Sequence, residues 1–76
     1  MAELPRVSGP QTVRALERAG FVVVRIKGSH QHLRRPSGGP LVTVPCHGRK
    51  ELKPKTLKSI LRQAQMTVEE FRGWLD

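Results

Sequence analysis

The apolar positions of this chain change period twice, from helical to alternating and back to helical. Val13, Leu16 and Gly20 follow one another at helical spacing, with Ala15 and Ala19 beside them. Ser8 and Gln11 stand ahead of this run at capping-box spacing, and Pro10 falls in the first turn, where its missing N–H costs little. Gly20 can take a left-handed conformation without a Cβ clash and so closes the helix, which is predicted over residues 9–19. Alternation then takes over. Residues 21–27 are dominated by β-branched side chains, with Val22, Val24 and Ile26 on one face and Val23, Arg25 and Lys27 on the other. Gly28-Ser29 reads as a tight turn. The return strand from His30 to Arg34 places His30, His32 and Arg34 together on one side. Residues 36–40 have loop composition, and Leu41 to Val44 form a third strand that Pro45 stops.

Helical spacing resumes near Pro54. Leu57, Ile60, Leu61 and Ala64 give a buried face, while Lys55, Lys58 and Arg62 form a basic stripe elsewhere on the same helix. Thr67 and Glu70 repeat the capping-box spacing, and Met66 with Phe71 adds a hydrophobic staple, so a short helix is predicted over 68–75. The three strands read as an antiparallel meander whose apolar face needs helical cover. The predicted class is α+β, in the order α-β-β-β-α with a short extra C-terminal helix. Phe21, Phe71 and Trp74 are all expected in the core, which leaves no aromatic platform on which bases could stack.

Composition narrows the choices further. At 76 residues the chain is expected to be one domain spanning 1–76. A chain of this size buries only about 60–65% of its unfolded surface, so an enclosed substrate cleft is not expected. One cysteine excludes an internal disulfide and fits a reducing compartment. No apolar run approaches the roughly 20 residues that cross a membrane, and Met1 to Gly9 has no leader-peptide core. The expectation is a cytoplasmic protein without a membrane partner.

Charge is the stronger signal. The formal net charge is +8, and residues 21–62 alone carry +9. Residues 21–46 contain four basic side chains and no acidic one. A merely soluble surface mixes its signs more evenly, so a polyanionic partner is indicated.

The residues able to do chemistry lie within this basic segment. Histidine exchanges protons near neutral pH with little tuning. RNA cleavage by attack of the ribose 2′-hydroxyl on the adjacent phosphorus needs only proton transfer and stabilisation of negative charge. His30, at a turn-to-strand junction, suits a proton-transfer role; Arg25, Lys27 or Lys50 supplies charge, Ser29 a hydroxyl, and the Gly28 turn a backbone N–H. Arg49, Lys50, Lys53, Lys55 and Lys58 suit phosphate contacts, which position a nucleic acid without reading its bases. His47 reads either as an ordinary surface group or as an RNA contact near His30. His30, His32, Cys46 and His47 offer zinc-type donors, but Cys46 and His47 are adjacent and would need a turn to aim both at one ion. No metal or other cofactor is expected, and Cys46 is expected to be a small semi-buried residue.

An ordered series of motifs carries a family resemblance. Ala19-Gly20-Phe21 is followed by Arg25-x-Lys27-Gly28-Ser29-His30, then Val44-Pro45-Cys46-His47-Gly48 and Glu51-Leu52-Lys53. The helix Thr56 to Ala64 and the ending Met66 to Phe71 complete it. This series closely resembles the HicA, or YcfA-like, toxin family of type II toxin–antitoxin systems. The resemblance implies a double-stranded-RNA-binding-domain-like fold and an mRNA-cleaving ribonuclease that inhibits translation and is neutralised by a HicB antitoxin. It places the family's catalytic histidine on His30 and matches a second family histidine to His47. Two departures stand out: His32 occupies a position commonly apolar or aromatic, and Gln65 replaces a usual glycine. The rival readings are a non-catalytic RNA-binding module and a protein-interaction module with a cationic face.

Overall fold

A computed structural model describes residues 3–75, so the expectation for the extreme N-terminus lies partly outside the described residues. The elements are α1 (Gly9–Arg18), β1 (Val22–Lys27), β2 (His30–Arg35), β3 (Gly38–Pro45), α2 (Pro54–Ala64) and α3 (Val68–Trp74). The strands form one antiparallel sheet in the order β1-β2-β3. This is the predicted α+β arrangement, resembling a double-stranded-RNA-binding domain with a short added helix.

Local chemistry sets the element ends. Ser8 Oγ accepts from the Gln11 N–H at 3.2 Å, and Gln11 Oε1 accepts from the Ser8 N–H at 2.8 Å, so two orphan donors of α1 are satisfied reciprocally. Thr67 and Glu70 do the same for α3, at 3.1 and 2.9 Å. α2 begins at Pro54 and has no side-chain cap at all.

The core lies between the helices and one face of the sheet. Leu16, Leu33, Val42, Val44 and Phe71 are fully buried, and each such side chain contributes roughly 1.5–3 kcal/mol by leaving water. Val13, Phe21, Ile60 and Ala64 join the sheet-side cluster; Val7, Ala15, Leu57 and Leu61 surround Phe71 in a second one. Gly9 lets α1 approach the end of β3. A Cβ there would overlap the Pro45 carbonyl oxygen and stand 2.8 Å from Cys46 Cα.

Three expectations need correction. First, β3 starts at Gly38 rather than Leu41, because Gly38 and Gly39 take φ of 102° and 94° and carry the chain into the sheet early. Pairing there passes from Leu33↔Val42 to Arg35↔Gly38 across an irregularity. Second, the β1 faces are not those of plain alternation. Val23 pairs with Leu33 but Arg25 pairs with His32, so a bulge at Val24 inserts one extra residue. Val23 therefore shares the helix-covered face with Leu33, while Arg25 and Lys27 turn to the open face. Val22, Val24 and Ile26 remain 48%, 54% and 65% exposed on this edge strand. Third, Trp74 is 42% exposed rather than in the core. Phe71 fills the space under α3, and Trp74 is the last residue of that seven-residue helix.

Candidate active site and nucleic-acid interface

The open face of the sheet is built by register. Lys27 pairs with His30 and His30 with Pro45; one step along, Arg25 pairs with His32 and His32 with Thr43. Directly paired residues point to the same side, so two cations, two imidazoles and a hydroxyl share one surface. The β1–β2 turn places His30 at its end. Gly28 adopts φ 58°, a conformation that residues other than glycine rarely take, and Ser29 follows, exposed.

A backbone bond joins the two histidine-bearing motifs. The Cys46 N–H donates to the Ser29 carbonyl at 2.6 Å, which holds the segment after β3 against the Gly-Ser turn. His47 thus leaves the sheet two residues after Pro45, the partner of His30. A second bond, Leu52 N–H to the Val7 carbonyl at 2.8 Å, and a bridge between Ser8 and Glu51 pin the 46–53 segment to the start of α1.

Beside β3 this segment and α2 make a shallow trough. One stretch is lined by Pro45, His47, Lys50, Lys53 and Thr56 together with Glu51, which pairs with Arg6 at 3.3 Å, and the next by Thr43, Lys53, Lys55, Thr56 and Ser59. Lys53 and Thr56 belong to both, so the two stretches are continuous. The trough meets the open face at Thr43 and Pro45. Gln63 on α2 closes the β3 edge, its Oε1 accepting from the Thr43 N–H at 3.1 Å. The α2 N-terminus, with Lys53 at its cap and no acidic residue in its first turn, adds uncapped N–H groups at this border.

Most residues singled out from the sequence meet here. Arg25, Lys27, Gly28, Ser29, His30 and His47 are exposed at the sheet face and its end; Lys50, Lys53 and Lys55 line the trough. Two do not join them. Arg49 borders a separate hollow with Pro10, Gln11 and Arg14, and Lys58 is exposed on α2 but lines neither stretch. None of Arg25, Lys27, Lys50, Lys53, Lys55 and Lys58 is paired with a described carboxylate. Arg35 is spent structurally, lying 4.4 Å from the Phe21 ring centroid and donating to the Ala64 carbonyl. Cys46 packs half-buried against the core, and burial pushes its thiol pKa up, which disfavours the reactive thiolate. Among the described residues no three His, Cys, Asp or Glu side chains gather to hold a metal ion.

The sequence reading missed Thr43 and Gln63. Thr43 Oγ1 lies 2.9 Å from His32 Nδ1. The only signal was a polar residue between Val42 and Val44, and its meaning depends on a register that alternation alone does not set.

A family model described as the HicA toxin of bacterial toxin–antitoxin systems matches residues 9–66. No curated protein matches the chain. The match runs from the first helical residue to just past α2, enclosing the sheet, the Gly-Ser-His turn and the trough. The chain belongs to the HicA toxin family.

Proposed function

We propose that this chain is the ribonuclease of a type II toxin–antitoxin pair, cleaving mRNA by a metal-independent route with His30 as general acid or base. The observation that carries the reading is the exposed His30 on a sheet face flanked by Arg25 and Lys27 and bordered by a lysine-lined trough. RNA lies across this face without an enclosed pocket. The ribose 2′-oxygen attacks phosphorus, its proton goes to a base, and the bond to the 5′-oxygen breaks as that oxygen gains a proton. A 2′,3′-cyclic phosphate and a 5′-hydroxyl result. Lys27 and Arg25 offset the charge that builds on the non-bridging oxygens. Ser29 and the Gly28 turn orient the scissile phosphate, while His47, Lys50, Lys53 and Lys55 hold the adjoining backbone. Arg49 and Lys58 serve flanking phosphates outside the trough.

The partner that silences such a toxin is an antitoxin of the HicB type. Its acidic groups would complement the unpaired cations and cover His30. Induced expression tests the reading in cells: the wild type slows growth and generates new mRNA ends, and His30→Ala does neither while accumulating to the same level. Equal toxicity of the two would overturn the assignment. RNA binding without new ends would leave the non-catalytic RNA-binding module.

A further inference from the structure

We infer that His32 is the second proton-transfer group, paired with His30 across a single phosphodiester. The inference rests on the ribonuclease reading above and assigns the role that reading leaves open. Alternate residues of a strand stand about 6.6 Å apart on one face. Two imidazoles, each within about 2.6–3.2 Å of its own oxygen, span the attacking and leaving oxygens of one phosphoryl group. His30 and His32 are such alternate residues, and register puts both on the open face.

Their surroundings differ in a way that suits two roles. His30 is exposed at the turn, with Lys27 beside it. His32 is half-buried in the middle strand, and its Nδ1 is engaged by Thr43 Oγ1 at 2.9 Å. A partner on one ring nitrogen fixes the ring and leaves Nε2 directed elsewhere. Thr43 is itself held, its N–H bonded to Gln63 Oε1. This chain of contacts runs from α2 through the β3 edge to an imidazole on the open face, so the placement of Thr43 sets that of the ring. Thr43 is therefore a positioning residue. Among the described residues, the groups set around His32 are Arg25 from β1, His30 and Arg34 on its own strand, and Thr43 from β3 with Lys53 and Lys55 beyond it; the carboxylate of the trough, Glu51, lines its other stretch and is paired with Arg6.

One base and one acid suffice for balance. The base takes the 2′ proton, the acid gives one to the departing 5′-oxygen, and hydrolysis of the cyclic phosphate or exchange with water restores both. Cleavage of an unstructured RNA oligonucleotide under single-turnover conditions, across a pH series, tests this. His32→Gln is expected to lower the rate about 10²–10⁴-fold and to remove one limb of the pH profile, with RNA affinity and melting unchanged. Thr43→Val should give a smaller loss that Thr43→Ser restores. On RNA with sulfur replacing the leaving 5′-oxygen, which departs without a proton, one of His30→Ala and His32→Gln should regain rate and the other should not. An inactive His30→Ala beside a fully active His32→Gln with an intact profile would overturn this inference and leave the ribonuclease reading standing. A wild type that cleaves nothing would overturn both.

Discussion

Gln65, where the family resemblance implies a glycine, shows at the scale of one residue how a side chain with a Cβ can hold a left-handed cap. It caps α2 in the left-handed conformation, φ 55°, and its N–H donates to the Arg62 and Leu61 carbonyls. A left-handed conformation costs a residue with a Cβ about 1–2 kcal/mol, and a glycine recovers part of that at some entropic cost. Gln65→Gly is therefore expected to raise stability by about 0.5–1 kcal/mol, read as a higher urea midpoint at unchanged slope. A lower midpoint would mean that the Gln65 side chain does more than tolerate the turn. Residue-scale chemistry was the most legible part of the sequence. Gly28-Ser29-His30 declared a turn and an accessible imidazole by residue type alone. Trp74 was misread because its burial depends on how far α3 extends past Phe71, which no local pattern states.

At the scale of elements, capping boxes fixed the starts of α1 and α3, so both were legible from Ser8 with Gln11 and Thr67 with Glu70. The sheet was less so. A bulge changes which residues share a face, and alternation counted from Val22 cannot detect it, since the extra residue appears only against a partner strand. That single insertion takes Val23 off the face of Arg25 and Lys27 and sets it on the core side with Leu33. The α3 cap has a further consequence in solution. The Thr67 N–H, then its hydroxyl, then the nearby Arg35 charge hold the Glu70 carboxyl below the ordinary glutamate range. A carboxyl lowered by folding contributes stability that is complete above its unfolded value and lost as pH falls through its folded one. Wild-type thermal midpoints should thus fall more steeply than those of Glu70→Gln as pH drops from about 5. Parallel curves would show that the cap bond is not formed in solution.

For the whole molecule, the meaning lies in where charge and small size coincide. Formal charge is +8, yet the α3 end is acidic, and among the described residues the unpaired Arg25 and Lys27 stand on the open sheet face with Lys50, Lys53 and Lys55 along the α2 border. The sequence located the basic segment but not its division. Folding separates Arg49 from Lys50 onto different hollows although they are neighbours in the chain. Lys53, far from Thr43 in sequence, comes to line the same trough. A face of this kind needs no deep pocket for an RNA backbone, and it makes one claim central: His30 performs proton transfer on RNA held there. Purified wild type and His30→Ala, incubated with single-stranded mRNA in the presence of EDTA, test that claim most directly. Fragments ending in 2′,3′-cyclic phosphate are expected with the wild type, and none with a folded His30→Ala protein that still binds the RNA. Cleavage of equal rate by the two proteins would contradict it.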